Sequence, residues 1–191
     1  MHKFRLAFVA LTLAIPVGVV FAQTASAAGG TSCSKGSGTA TFAPGLFKLQ
    51  SGAAAETHEA TSTIGATGTV SGCSGGGVVS GTTTSTIKIA DPTNCNSLLD
   101  SKEPPASPAT VGTLTVKWNN GKTSTVGAIT LTSVPGQSTQ ANLSGKVTSG
   151  TLFKGLTVTA RVSFKATTSD QCVTSNLTKV TYTGVTAFKI A

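Results

Sequence analysis

One glycine-rich stretch contains residues of the types used in nucleophilic catalysis. Gly72-Cys73-Ser74-Gly75-Gly76 matches the G-x-S-x-G pattern, in which a serine sits on a sharp turn between a strand and a helix. The segment that follows, Gly77-Val78-Val79, is typical of a loop leading into a strand rather than of a helix. We therefore interpret this stretch as a turn beside a cysteine, and we assign no catalytic residue.

The densest polar cluster is Glu56-Thr57-His58-Glu59. In a strand, the histidine shares one face with the first glutamate, while the second glutamate lies on the opposite face. Two ligands are too few to hold a metal ion unless Asp91, Asp100 or Asp170 joins them. We expect a solvated strand edge or loop here, and the sequence predicts neither a metal site nor a cofactor.

Four cysteines occur in the chain: Cys33, Cys73, Cys95 and Cys172. An even number in an exported protein predicts two disulfides. Cys73 and Cys95 flank a predicted strand, Val78 to Ala90, whose ends would lie about 40 Å apart if it is straight, whereas a disulfide needs Cα atoms within about 7 Å. Unless a glycine folds that strand, we expect Cys33 to pair with Cys73, and Cys95 to pair with Cys172.

The N-terminal segment has the three parts of a secretory signal. Lys3 and Arg5 are followed by an apolar stretch from Leu6 to Ala22, and Ala25-Ser26-Ala27 offers small residues for cleavage. The sequence therefore predicts a cleavable signal peptide over residues 1–27 and secretion from the cell. Its removal leaves 164 residues and lowers the net charge from +8 to +6, because the two cations leave with it.

The composition excludes several classes of protein. Only 10% of the 191 residues are charged and 5% are aromatic, whereas 55 are Ser or Thr. This is too little Glu, Lys and Leu for a helical bundle, and too much Val, Ile and Thr for a disordered chain. The mature chain is therefore expected to be a strand-rich globular protein.

Strict alternation of apolar and polar residues predicts the strands. The clearest case runs from Leu156 to Lys165, where apolar side chains alternate with Thr, Ser, Arg and Lys. Asn120-Gly121 between two such runs predicts a hairpin with a type I′ turn. The apolar phase shifts near Gly127, which predicts a bulge there.

The number of strands sets the expected fold. We expect eight or nine strands, no regular helix, and a surface loop over the proline-containing stretch from Ser101 to Thr110. Short strands separated by frequent turns predict an all-β, antiparallel β-sandwich, immunoglobulin-like or similar, in a single domain over residues 28–191.

The polar and aromatic residues of these strands are interpreted first as structural. Seven lysines are spread along the chain, and we expect them either to protect strand edges or to attract an anionic envelope polymer. Nucleic acid is disfavoured, because one Arg remains after cleavage and no aromatic platform is evident. Trp118 and Tyr182 fall in apolar phases, which predicts core packing. The threonine ladder of Thr82, Thr84 and Thr86 resembles an ice-binding pattern, but we expect no regular repeat of it from strand to strand.

The mature chain resembles small secreted proteins of high-GC Gram-positive bacteria of the actinobacterial type. The similar stretches are Gly72 to Gly77, Asn94-Cys95 followed by Leu98-Leu99, Lys117 to Ser124, and Phe153-Lys154-Gly155. Composition and cysteine number also resemble the actinomycete chromoprotein carriers, although the cysteine spacing differs. That resemblance implies an immunoglobulin-like sandwich around a small apolar ligand.

These observations predict an exported, non-enzymatic domain with a binding or structural role at or outside the cell envelope. One alternative is a carrier of a small hydrophobic ligand, which needs an apolar cleft. A second is a secreted hydrolase, which needs His58 beside a serine and an acid. A third is a protease inhibitor that uses the loop from Cys95 to Thr110.

Overall fold

The computed structural model describes residues 29–46, 62–89, 110–166 and 175–191, and these form nine antiparallel strands. In chain order the strands are β1 (Thr31–Leu46), β2 (Thr63–Ser74), β3 (Ser80–Ile89), β4 (Thr110–Trp118), β5 (Thr123–Val134), β6 (Gln137–Gly150), β7 (Thr157–Ala166), β8 (Leu177–Gly184) and β9 (Phe188–Ile190).

The sheet closes on itself. From β2 to β8 each strand pairs with its neighbour in the chain, and β1 pairs with both β2 and β8. The short strand β9 also pairs with β1 and β7, so β8 and β9 occupy one strand position of the barrel in succession. The fold is an eight-stranded, up-and-down β-barrel, and the predicted β-sandwich is wrong.

The reason for the error is that alternation fixes which side chains point inwards but not which strand edges meet. An immunoglobulin-like sandwich needs connections that cross between two sheets. Here, by contrast, each pair of consecutive strands from β1 to β8 is hydrogen-bonded, and the 16-residue strand β1 is long enough to pair along both of its edges. Closure leaves no unpaired sheet edge.

The stagger of the strands makes this barrel wide. A row of neighbouring residues that starts at Phe42 in β1 returns to β1 at Thr31, eleven residues earlier. The row passes through Ile64, Ile87, Gly112, Ile129, Gly145, Val158 and Ile190. The eight-stranded core of a triosephosphate-isomerase-type barrel has a stagger of about eight. A larger stagger tilts the strands further and widens the interior.

We call the side of the barrel where β2, β4 and β6 end the lower end, and the side where β1, β3, β5 and β7 end the upper rim. Aromatic packing closes the lower end. The rings of Trp118 and Phe153 meet edge to face, with centroids 5.5 Å apart. The Trp118 Nε1–H donates to Ser124 Oγ at 2.9 Å, and that hydroxyl donates to the Leu152 carbonyl at 2.9 Å. The predicted core position of Trp118 is confirmed.

A disulfide joins β1 to β2 at the lower end. Cys33 and Cys73 are directly opposed in the strand pairing, and the predicted bond between them is present. Such a bond stabilises a fold by about 2–4 kcal/mol and fits an oxidising compartment. Cys95 and Cys172, predicted to form the second disulfide, lie outside the described residues.

The hairpin between β4 and β5 forms where it was predicted, but with another turn. Gly121 is left-handed (φ 78°), whereas Asn120 is not. Gly121 N–H donates to the Trp118 carbonyl, as in a type I turn followed by a glycine bulge rather than a type I′ turn. The bulge predicted near Gly127 is confirmed by a register shift, although the left-handed residue beside it is Ala128 (φ 48°).

Candidate functional site

A tyrosine lies across the inside of the barrel. Tyr182 in β8 is paired with Gly38 in β1, Gly38 with Gly68 in β2, and Gly68 with Thr83 in β3. A Cβ atom on either glycine would overlap the Tyr182 hydroxyl. The two glycines therefore make room for the ring. Its hydroxyl passes over β1 and β2 and forms a hydrogen bond with the side chain of Thr83 in β3.

The environment of this phenol keeps it protonated. Burial raises the pKa of Tyr182 above its usual value, and the hydrogen bond from Thr83 opposes that rise in pKa without cancelling it. Near neutral pH the hydroxyl is therefore uncharged and can both donate and accept a hydrogen bond. The predicted inward position of Tyr182 is correct, but the side chain is only half-buried rather than sealed in the core.

A second hydroxyl lies next along β3. Ser85 follows Thr83 by two residues, so both side chains point to the inner face. Ser85 is half-buried, and its strand partner on β2 is Ala66, another half-buried small residue of the inner face. We call Thr83, Ser85 and Tyr182 the hydroxyl patch.

Apolar side chains form another part of the inner wall. They come from β5, β6 and β7, whereas the hydroxyl patch comes from β3 and β8. Four of them pack against the core and are nevertheless half-buried, so solvent reaches them: Leu131, Leu143, Ala160 and Phe164. We call these four residues the apolar wall. Its strand β7 lies four strand positions from β3, which carries Thr83 and Ser85, while Phe164 is the direct strand partner of Tyr182.

Charge is absent from the buried part of the described barrel. All ten charged side chains there are Lys or Arg, and they are exposed except for the half-buried Arg161, whose Nε–H donates to Asn142 Oδ1 at 2.9 Å. The six Asp and Glu residues of the chain lie outside the described residues. The inner wall therefore offers hydroxyl and apolar groups but no charge.

Strand register aligns threonines on the outer face. One row across β1 to β5 consists of Thr39, Thr67, Thr84, Thr115 and Thr125. Register therefore aligns threonines that lie far apart in sequence and whose spacing along the chain is irregular. The row follows the closed sheet around the barrel, so its side chains face different directions instead of forming one flat surface.

The glycine-rich stretch at Ser74 is a turn at the lower end, as interpreted from the sequence. β2 ends at Ser74 and β3 begins at Ser80, so a strand follows the serine rather than a helix. Gly75, Gly76 and Gly77 all have positive φ, which suits a tight turn between strands. This local geometry is not that of a nucleophile elbow.

The other candidate residues of the sequence fall elsewhere. His58 with Glu56 and Glu59, and the aspartates at 91, 100 and 170, lie outside the described residues, as does most of the loop proposed for an inhibitor. Sequence reasoning did not single out the hydroxyl patch. A signal was present, because Thr83 and Ser85 share the phase of the apolar Ile87 and Ile89.

The described residues contain no group of three or more side chains that could hold a metal ion, and no helix among them is long and apolar enough to cross a membrane. No protein-family model, curated protein or solved structure matches the chain.

The fit of the tyrosine over Gly68 can be tested by substitution. We expect Gly68→Ala to lower the free energy of unfolding by about 1–3 kcal/mol, because the new methyl group overlaps the Tyr182 hydroxyl and the Ser37 carbonyl. Gly65→Ala in the same strand is the control, since its methyl group would meet Thr41 Oγ1 at 3.5 Å, an ordinary contact. Denaturant unfolding, followed by Trp118 fluorescence, measures both. Equal effects of the two substitutions would contradict this account of the glycine.

The raised pKa of Tyr182 predicts a loss of stability at high pH. The folded state holds the phenolic proton more tightly than the unfolded chain, so this contribution to stability is complete below about pH 10 and falls as the pH rises towards the folded pKa. The chain contains one tyrosine, so tyrosinate absorbance reports this group alone. We expect Thr83→Val to raise the pKa further, and a midpoint at or below pH 10 in the folded wild type would refute the prediction.

Proposed function

We propose that the protein is an exported, non-enzymatic carrier that holds a small apolar ligand inside its barrel. The observation that carries this proposal is the combination of a half-buried apolar wall and a hydroxyl patch on one uncharged inner face, joined where Phe164 pairs with Tyr182. Wide eight-stranded barrels have room for one small ligand, and ligand sites are mostly apolar with a few placed polar groups.

The packing along the barrel supports one direction of access. The lower end is filled by Trp118, Phe153 and the disulfide, whose Cys33 is fully buried. Towards the upper rim, Leu131 and Phe164 lie near the ends of β5 and β7 and are not fully covered. Leu46 and Leu177 at the same rim are buried, so a ligand would enter on the β5 to β7 side of the upper rim and rest above the closed lower end.

Export is part of the same proposal. The disulfide between Cys33 and Cys73 is consistent with an oxidising environment. The predicted signal peptide over residues 1–27 would deliver the chain to that environment. The non-enzymatic assignment is supported by the turn at Ser74, which lacks the local geometry of an activated serine.

Filling the interior should abolish ligand binding. We expect Ala160→Phe to weaken binding of the neutral dye N-phenyl-1-naphthylamine at least about tenfold, because its ring occupies space beside the apolar wall. Thr159→Phe is the control, since Thr159 is the exposed neighbour on the outer face of the same strand. Dye fluorescence measures binding, and Trp118 fluorescence confirms folding; if Ala160→Phe fails to fold, Ala66→Leu replaces it.

Two results would contradict the carrier proposal. One is a wild-type protein, freed of bound lipid by extraction, that does not bind the dye. The other is a folded Ala160→Phe protein that binds the dye as well as Thr159→Phe does.

The outer surface favours a second candidate function, attachment to an anionic envelope polymer. Lys146 and Lys189 lie on opposite sides of β7, paired with Thr157 and Thr159, and Arg161 follows on the same face. We call Lys146, Arg161 and Lys189 the basic face. No acidic side chain occurs among the described residues to offset it, and such a surface attracts polyanions over a long range.

Polyphosphate binding tests this second function. We expect the affinity for polyphosphate to fall steeply with added salt, because salt screens the charges of exposed lysines. Lys146→Gln with Lys189→Gln should weaken binding about tenfold, and more than Lys88→Gln with Lys117→Gln, which removes the same charge from β3 and β4. Isothermal titration measures both pairs, and equal losses would show that net charge alone matters.

A further inference from the structure

The hydroxyl patch is the polar part of a mostly apolar interior. Thr83 is almost fully buried, and its hydrogen bond to Tyr182 spans the two glycines between them. One hydrogen bond between two hydroxyls leaves one O–H donor and several lone pairs without a protein partner. The side-chain hydroxyl of Ser85, one inner position nearer to the upper rim on β3, makes no hydrogen bond to the described residues.

Unused hydroxyl groups on an inner wall select for particular ligands. A pure hydrocarbon placed against them would remove their water and return no hydrogen bond, which is costly. A site built to hydrogen-bond an oxygen therefore discriminates strongly against the analogue that lacks it. The patch thus favours a ligand with its own donor or acceptor at this point.

The charge of the ligand follows from the same wall. None of the ten described cations is buried, and all hydrogen-bonding groups of the patch are neutral. A carboxylate or phosphate brought to the patch would lose its hydration without gaining a counter-ion. An uncharged oxygen, by contrast, needs only the hydroxyl groups that are already present.

We infer that the ligand is a neutral, compact molecule with an apolar body and one hydroxyl or carbonyl oxygen. The oxygen binds at Tyr182 and Ser85, and the apolar body lies against the apolar wall. This inference rests on the proposed carrier function and adds the chemical class and the orientation of the ligand.

Three related probes test it: naphthalene, 1-naphthol and 1-naphthoate. We expect the wild type to bind 1-naphthol about tenfold more tightly than naphthalene, as one additional net hydrogen bond provides, and to bind 1-naphthoate more weakly than 1-naphthol. In Tyr182→Phe and in Ser85→Ala the ratio between the naphthol and naphthalene affinities should fall towards one. Thr84→Ala, on the outer face between the two patch residues of β3, should keep the wild-type ratio.

The outcomes separate this inference from the function on which it rests. If neither naphthalene nor 1-naphthol binds, the carrier proposal itself fails. If both bind with equal affinity, the carrier remains and the inferred role of the hydroxyl patch is wrong. Tightest binding of 1-naphthoate would overturn the inferred neutrality. Should Tyr182→Phe not fold, as judged by Trp118 fluorescence, the wild-type ratio and Ser85→Ala decide.

Discussion

The pairing of β1 with both β2 and β8 is the interaction on which the rest of the structure depends. Without the second pairing the strands would form an open sheet with two unpaired edges and no enclosed space. With it, alternate side chains of every strand point into one interior. The candidate site exists only because the sheet is closed, since its hydroxyl patch comes from β3 and β8 and its apolar wall from β5, β6 and β7.

Closure also explains why small residues are needed on the inner face. Tyr182 can cross β1 and β2 only because Gly38 and Gly68 stand in the row between it and Thr83. A larger residue at either position would push the ring into the centre of the barrel, where it would occupy the space between the two walls. The glycines therefore determine where the only tyrosine of the chain places its hydroxyl.

Local features of the fold were predictable from the sequence, and long-range features were not. Alternation located the strands, and it placed Trp118 and Tyr182 on the inner face, because inward orientation has a period of two residues. The bond between Cys33 and Cys73 was preferred once distance disfavoured Cys73 and Cys95 as partners, but distance alone left the pairing of Cys33 with Cys95 open. Register and closure did not follow, because they depend on which edges meet. The phase of β3 placed Thr83 and Ser85 on the inner face, but the row that brings Tyr182 to Thr83 was not predictable.

The barrel wall separates two kinds of chemistry that the sequence interleaves. Along β3, exposed threonines on the outer face alternate with the buried Thr83 and the half-buried Ser85 on the inner face. On β7, the half-exposed cation Arg161 follows directly after Ala160 of the apolar wall. A polyanion bound outside and a neutral ligand bound inside would thus touch different side chains of the same strands. Substitutions at neighbouring positions can therefore separate the two proposed functions in an experiment without changing the fold.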